Sequence, residues 1–264
     1  MSLQARHLLF VLLAACAIAG TALHAQDRKS TDTRRLGSDF MGASTQAMQK
    51  DDALNPGMLW VKDGEALWQK TAGLSGKACV SCHAAASSSM KGVAARYPAF
   101  DETLKRPVTL SQRINICRQQ HQQADPLRYE SQELLSLESY VALQSRGLPM
   151  TPPADKRMEP FRQLGEQRFF QRMGQLNLSC AQCHDSNAGN KLGSSIIPQA
   201  HATGYPVYRL EWQAMGSLQR RLRNCMSGVR AELFPYGSQE LVELEVYLAA
   251  RATGMAMEAP GVRP

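Results

Sequence analysis

Apolar residues follow a helical period through most of the chain after about residue 57. Two stretches show it most clearly, each with apolar residues at i, i+3 and i+7 behind a serine that can cap a helix, Ser131 or Ser238. The apolar positions are Leu134, Leu137 and Val141 in the first stretch and Leu241, Leu244 and Leu248 in the second. No segment alternates convincingly at a period of two, so the pattern predicts an all-α fold.

The helical pattern occurs twice, which indicates an internal repeat. One matching set, at a spacing of 101 residues, is Gly64 with Trp68 and Gly165 with Phe169. A later set, at a spacing of 108, is Leu110, Arg113 and Cys117 against Leu218, Arg221 and Cys225. The second copy therefore holds about seven extra residues between the two sets.

Composition shifts suggest where the two copies begin and end. Proline is dense in residues 149–160, where it stops helices and stiffens a connector, so we expect a linker there. The expected repeat domains are then residues 57–148 and 161–257. Residues 26–56 are polar without a clear period and are expected to form an N-terminal arm, and residues 258–264 a C-terminal tail.

The N-terminus has the pattern of a secretory signal peptide. Arg6 precedes an apolar run, and small residues follow at Ala22 and Ala25, so residues 1–25 are expected to be removed on export to the periplasm. Cys16 lies in a Leu-Ala-Ala-Cys box, so lipoprotein anchoring is an alternative. No later stretch is apolar enough to predict a membrane span.

Two short motifs carry chemistry. Residues 79–83 and 180–184 both read Cys-x-x-Cys-His, the attachment signature of c-type haem. Two thiols one helical turn apart can form thioethers to one porphyrin, and the adjacent histidine can bind the iron from the proximal side. The sequence therefore predicts two covalently bound haem c groups in two tandem cytochrome c domains. The attachment residues are Cys79, Cys82 and His83 in the first and Cys180, Cys183 and His184 in the second.

The distal iron ligands are predicted from the repeat. Met90 is too close to the first motif to reach the far face of a haem, and Met150 lies beyond the closing helix. Cys117 and Cys225 occupy matching positions of the two copies, so we expect both to be axial thiolate ligands rather than a disulfide. Alternatives that the sequence leaves open are a structural free cysteine with Met215, Met226 or His121 as the ligand.

The chain of 264 residues has a formal net charge of +7. Its Lys and Arg residues are scattered, without a basic run or interleaved aromatic residues, which argues against nucleic-acid binding. The charge fits either a basic periplasmic surface or steering of anionic substrates and acidic partners.

Together, the two haem motifs, the single downstream cysteines and the block Arg221–Met226 resemble the SoxA family, the dihaem subunit of the SoxAX cytochrome. The resemblance implies an L-cysteine S-thiosulfotransferase, which joins thiosulfate oxidatively to a cysteine of a SoxYZ-like carrier. It also implies that electrons pass to a SoxX-like monohaem cytochrome c in a heterodimer, or to another cytochrome c.

By the same resemblance, Cys225 is expected to be a catalytic persulfide at the active-site haem, and the first haem to be remote from the reaction. Arg221 lies four residues before Cys225, so both face the same side of a helix, and its guanidinium can bind the oxygens of thiosulfate. A contact with a haem propionate is the alternative role for Arg221. Arg251 is a weaker candidate, because a cation there also stabilises a helix C-terminus.

Competing functions remain open at the level of the sequence. A dihaem electron shuttle without sulfur transfer would favour methionine ligation, which the first copy does not offer. A dihaem peroxidase would be a longer chain with an open distal site. A thiolate-ligated redox sensor is the third alternative.

Overall fold

The computed structural model describes residues 32–264, and ten α-helices form most of the regular structure there. They are α1 (Ala43–Lys50), α2 (Gly57–Gln69), α3 (Val80–His83), α4 (Ala86–Ser89), α5 (Leu110–Cys117), α6 (Gln132–Leu143), α7 (Glu159–Phe170), α8 (Cys180–His184), α9 (Leu218–Gly228) and α10 (Gln239–Arg251). Single turns of 3₁₀-helix span Gly37–Phe40, Ala94–Arg96 and Lys156–Met158, and a π-helical turn, Arg118–Gln122, continues α5.

Residues Arg35–Pro264 form one unit that contains both copies of the repeat. The expected signal peptide, residues 1–25, and Cys16 lie outside the described residues, as does the start of the expected arm. From residue 32 onward, no helix has the length and apolarity that a membrane crossing requires.

The prediction of an all-α fold is wrong, because the described residues contain seven short strands. They are β1 (Ala99–Asp101), β2 (Arg106–Val108), β3 (Lys191–Leu192), β4 (Ser195–Ile196), β5 (Val207–Arg209), β6 (Ala214–Gly216) and β7 (Gly261–Arg263). Antiparallel pairs join β1 to β2, β3 to β4 and β5 to β6, and β7 pairs with β5 in parallel. Strands of two or three residues are too short to show an alternating pattern, so they leave no signal in the sequence.

Each half is built on one close helix crossing. In the first half α2 crosses α6, and in the second α7 crosses α10. Gly64 and Gly165 lie at the crossing points, where an added Cβ would overlap the carbonyl oxygen of Ser136 or Glu243. Beside these points Trp68 and Phe169 are buried at 4% and 1% exposure. The repeated glycines thus let the first and last helices of each half meet over the haem motif.

Replacing Gly165 with Ala is expected to destabilise the protein by about 1–3 kcal/mol or more, because the methyl group must displace the backbone of α10. Thermal unfolding of the haem-loaded protein measures the effect. Gly228→Ala is the control, since nothing lies within 4 Å of the added Cβ at this helical position. An unchanged melting temperature for Gly165→Ala would show that the two helices are free to move apart.

The two halves meet around a small polar centre. Tyr129 and Tyr236 stack with ring centroids 6.1 Å apart, and Glu138 and Glu245 line a cavity of about 60 Å³. Ser111 donates a hydrogen bond to Glu138 and Gln219 donates one to Glu245, each at 2.7 Å. Both carboxyl groups therefore have one hydrogen-bonding partner but no cation in an ion pair among residues 32–264.

Burial raises the pKa of Glu138 to about 7 and the pKa of Glu245 to about 8. The hydrogen bonds from Ser111 and Gln219 offset part of this effect, and repulsion between neighbouring carboxyl groups adds to it. The contact between the halves thus has its lowest free energy when these carboxyl groups are protonated.

Candidate active site

The haem-attachment motifs lie on short helical turns that local hydrogen bonds hold in place. Ser179 accepts a hydrogen bond from the Gln182 backbone at 3.3 Å, and the Gln182 side chain accepts one from the Ser179 backbone at 2.9 Å. This capping box begins α8 immediately at Cys180. In the first motif the Ser81 hydroxyl accepts from the backbone of Ala78 at 3.1 Å. Both arrangements set the two cysteines of each motif one helical turn apart.

The first motif opens onto a cavity of about 300 Å³ that contains the predicted first-half site. Its lining includes Cys79, Cys82, His83 and Cys117. The walls are mainly apolar and comprise Trp68, Val93, Leu110, Ile114, Leu137 and Val141. The structure thus brings all four predicted ligand and attachment residues of the first half to one cavity.

A second cavity, of about 150 Å³, contains His184, Cys225 and Arg221. Cys180 and Cys183 do not line this cavity, although they lie on the same helical turn as His184. The remaining lining includes Tyr205 and Arg209 together with an apolar wall of Ile196, Leu218, Leu222 and Leu248. The structure therefore brings together the predicted proximal histidine, the predicted distal cysteine and the predicted substrate-binding arginine.

Helix α9 sets the relation between Arg221 and Cys225. Ser217 caps its first turn by accepting a hydrogen bond from the backbone of Arg220 at 3.1 Å. Arg221 and Cys225 follow at i and i+4, on one face of the helix, and both line the cavity. Thr109 caps α5 in the same way, and this helix carries Arg113 and Cys117 to the first cavity.

The ring of His184 is oriented by its own hydrogen bond. Its Nδ1 lies 2.7 Å from the carbonyl oxygen of Pro198, which can only accept, so Nδ1 carries the proton. Nε2 is then the nitrogen with a lone pair for a metal. A second partner that fixes the ring in this way is typical of a ligating histidine.

The two single cysteines differ in their electrostatic surroundings. Burial raises the pKa of the Cys117 thiol, and the positive charge of Arg113 offsets only part of that effect. Burial also acts to raise the pKa of the Cys225 thiol, but contact with His184 and the charges of Arg221 and Arg209 outweigh it and lower the net pKa. The positive charge beside the cysteine is therefore larger in the second cavity than in the first.

The alternative iron ligands lie elsewhere or at an exposed position. Met215 and Met226 are buried at 1% and 5% exposure, and neither lines a haem-motif cavity. His121 does line the first cavity, but it is an exposed residue of the π-helical turn. All six cysteines among the described residues are free thiols, and Cys117 and Cys225 line different cavities.

Arg251 does not line the second cavity. It forms an ion pair with Asp185 at 2.6 Å and donates to the carbonyl oxygen of Gln199 at 3.2 Å. Its guanidinium also lies 4.7 Å from the ring centroid of Phe169. Arg251 therefore ties the end of α8 to α10, which is a structural role.

Arg209 is a cavity residue that the sequence reasoning did not single out. It lies at the end of β5, one of the strands that left no pattern in the sequence. The repeat spacing of 108 did hold a signal, because it sets Arg209 against Asp101, a reversal of charge.

The donor sets fit haem c. Each half offers two free cysteines one helical turn apart, a histidine beside them, and a further cysteine that lines the same cavity as the histidine. The first cavity is also walled by apolar side chains, as a porphyrin face requires.

Comparison with known proteins identifies two cytochrome c domains in this chain. The family model described as SoxA/TsdA, cytochrome c domain, matches residues 63–150 and 164–257. A protein of Pseudaminobacter salicylatoxidans named L-cysteine S-thiosulfotransferase subunit SoxA is 37% identical over 85% of this chain and 79% of its own. A protein of the same name from Rhodovulum sulfidophilum is 34% identical over 93% of this chain and 85% of its own length.

A solved structure has the same fold. The crystal structure of SoxXA from P. pantotrophus contains a chain that is 32% identical and superposes with a TM-score of 0.84. The match covers 88% of this chain and 87% of that one. A cytochrome c domain carries covalently bound haem c, which the free cysteine pairs can attach. On the family model, the relatives and the fold together, this chain belongs to the SoxA family of cytochromes c.

Proposed function

We propose that this chain is the catalytic subunit of an L-cysteine S-thiosulfotransferase. The reaction joins thiosulfate to a cysteine thiol of a SoxYZ-like carrier protein. One sulfur–sulfur bond forms, the thiol S–H bond breaks and releases a proton, and two electrons leave. A cytochrome c accepts the electrons. The proposal is supported by the activity in the names of relatives that are 37% and 34% identical to this chain.

The observation that carries the assignment to the second cavity is the pairing of Cys225 with Arg221. Arg221 forms no ion pair within residues 32–264, and it lies beside a thiol whose pKa is lowered. In the first cavity, by contrast, Arg113 forms an ion pair with Asp101 at 2.6 Å. Of the two equivalent arginines, therefore, only Arg221 has no carboxylate partner among residues 32–264 and can hold a sulfur oxyanion beside a cysteine.

Each residue has a role in this proposal. Arg221 binds the sulfonate oxygens of thiosulfate and turns its outer sulfur towards Cys225. Cys225 carries the sulfur chemistry as a persulfide. His184 is held by Pro198 as the proximal ligand, and Cys180 and Cys183 attach the haem of this half. When bound, that haem supplies a one-electron acceptor close to the reacting sulfur.

The first half has the same proposed donor set, but Arg113, the equivalent of Arg221, is paired with Asp101. Cys79 and Cys82 attach a second haem, with His83 and Cys117 as its axial ligands. Gln122 supports this site by donating to the Lys77 carbonyl oxygen at 3.0 Å. Since Arg113 is already paired, this haem is proposed to be remote from sulfur transfer.

Partner and location follow from the relatives. The structural match is to a SoxXA protein, so a SoxX-like monohaem cytochrome c is the proposed partner in a heterodimer. The proposed location is the periplasm, in keeping with covalent haem and with the N-terminal pattern of the sequence.

Two measurements on the purified partner complex test the proposal. Intact-mass spectrometry of this chain is expected to show two haems and one additional sulfur atom. Incubation with thiosulfate, oxidised cytochrome c and the carrier is expected to add a thiosulfate group to the carrier cysteine and to reduce the cytochrome. A carrier whose cysteine is replaced by serine serves as the control and should gain no mass.

Outcomes that contradict the proposal are equally definite. If the chain transfers electrons to cytochrome c but never modifies the carrier, it is a haem shuttle without sulfur-transfer activity. If the chain carries two haems but no additional sulfur while the carrier is still modified, the persulfide assignment fails and the activity stands.

A further inference from the structure

The two halves differ by a reversal of charge at one structurally equivalent position. In the first half Asp101 ends β1 and pairs with Arg106 on β2. In the second half Arg209 ends β5 and pairs with Ala214 on β6 at the same register. Both positions lie twelve residues before the arginine of the following helix, Arg113 or Arg221. The hairpins therefore place opposite charges beside two equivalent arginines.

Asp101 neutralises the arginine of the first half. Its carboxylate accepts a hydrogen bond from the Arg113 guanidinium at 2.6 Å and two from the backbone of Thr103 and Leu104 at 2.9 and 2.7 Å. The Asp101 side chain is only 6% exposed. Arg113 thus already has a buried anionic partner and cannot readily bind another.

Arg209 does the opposite in the second half. It is 9% exposed, it lines the same cavity as Arg221 and Cys225, and its buried Nε has no acceptor among residues 32–264. Its one carboxylate partner, Glu211, lies at 2.8 Å, but the Glu211 side chain is 59% exposed. Burial lowers the pKa of Arg209, and the positive charge of Arg221 lowers it further.

The other arginine and the two histidines that line the cavity have partners of their own. Arg263 forms an ion pair with Glu258 at 2.8 Å. His201 lies 3.1 Å from the Arg35 carbonyl oxygen, and His184 is bonded to Pro198. The positive charge left for an anion is therefore concentrated on Arg209 and Arg221. A buried Nε without an acceptor is costly unless a ligand supplies one.

We propose that Arg209 is a second anion-binding residue of this cavity and that, with Arg221, it selects doubly over singly charged sulfur oxyanions. This inference rests on the proposed function, since it concerns how the same site takes its substrate. Two guanidinium groups beside Cys225 match a small tetrahedral dianion, whose oxygens can accept hydrogen bonds from both.

Anion binding to the haem-loaded partner complex, measured by isothermal titration calorimetry, tests the inference. The probes are sulfate and methanesulfonate, which are similar in shape and do not react but differ by one charge. Arg209→Gln is expected to weaken sulfate binding about 10-fold to 100-fold and methanesulfonate binding much less. Arg209→Asp rebuilds the ion pair of the first half and should abolish sulfate binding.

Arg220→Gln is the matched control. Arg220 lies on α9 and packs against Trp212, as Arg209 does, but it does not line the cavity. Replacing either arginine with Gln removes one positive charge. Its variant should bind sulfate as the unaltered protein does. Arg209→Lys keeps the charge without the fork of donors and should fall between Arg209→Gln and the unaltered protein, which separates a lost anion contact from a misfolded hairpin.

A haem propionate is the other anion that Arg209 could hold. In that case Arg209→Gln would shift the reduction potential of the second-half haem and leave sulfate affinity unchanged, and the inference would be overturned. Equal loss of sulfate and methanesulfonate binding would overturn the selection of dianions. Anion binding and reduction potential are measured without turnover. A failure of this inference can therefore be distinguished from a failure of the proposed function, which is tested by the carrier assay. With turnover, Arg209→Gln should raise KM for thiosulfate and largely spare kcat.

Discussion

Replacing Cys225 with Met is expected to reduce thiosulfate-dependent modification of the carrier by at least about 1000-fold, because the variant has no sulfur nucleophile. A thioether can still bind iron, so the variant should keep its haem. Its reduction potential should rise, since a thiolate donates more electron density than a thioether. Carrier mass spectrometry, haem absorption and potentiometric titration measure the three effects.

Cys117→Met is the comparison for that variant. Cys117 is the repeat equivalent of Cys225, and it lies beside an arginine that Asp101 already neutralises. We expect this variant to change the potential of the first-half haem and to retain measurable carrier modification. Full turnover by Cys225→Met would remove Cys225 from the reaction and leave Arg221 as an electrostatic residue only.

The partly buried carboxyl groups of Glu138 and Glu245 are expected to make the free energy of unfolding fall as the pH rises from about 5 to about 8. In the unfolded chain Glu138 and Glu245 ionise near 4.5, whereas in the folded protein their pKa values are about 7 and about 8. Protonated carboxyl groups therefore stabilise the folded state at low pH, and this contribution is lost progressively as the pH rises from about 5 and is gone above the folded-state pKa values. For Glu138 the resulting decrease in the free energy of unfolding is about 3 kcal/mol.

The double variant Glu138→Gln/Glu245→Gln isolates this effect. Its melting temperature should match that of the unaltered protein near pH 5 and exceed it by several degrees at pH 8. Glu133→Gln is the control, because Glu133 is an exposed carboxylate on the same helix as Glu138. The nearby Glu130, whose pKa burial also raises, remains in every variant. Parallel pH profiles for the double variant and the unaltered protein would show that the pair is ionised in the folded state.

The helices could be predicted because their apolar residues recur with a period, and the candidate haem ligands were identified by the spacing of the repeat. The i, i+3, i+7 stripe of α6 recurs in α10, and both helices begin at the predicted serine caps. The repeat alone sets Cys117 and Cys225 at equivalent positions of the two halves. Each lines a cavity with the histidine of its own half, although their ligation of iron remains a prediction.

The strands could not be predicted from an alternating pattern, because each has only two or three residues, and Arg209 lies at the end of one of them. Strand β5 pairs with β7, more than fifty residues later, so neither shows its partner in the local sequence. The proposed role of Arg209 in anion binding depends on its position beside Arg221, and the turn between β6 and α9 sets that position. The acidic pair was hidden for the same reason, since Glu138 and Glu245 each look like an ordinary helix-surface carboxylate.

At equivalent positions the first half has a tryptophan, Trp68, and the second half has a phenylalanine, Phe169, so only the first half has an indole fluorophore at this position. Trp68 is 4% exposed in the wall of the first cavity, with its ring centroid 5.7 Å from that of His83. The equivalent buried ring in the second half, Phe169, does not emit in the range of tryptophan. Because haem quenches a neighbouring indole by energy transfer, Trp68 is an intrinsic fluorophore for haem attachment to the first half. Because Trp60 and Trp212 also emit, the part of the emission that a Trp68→Phe variant loses is the part that reports haem attachment to the first motif.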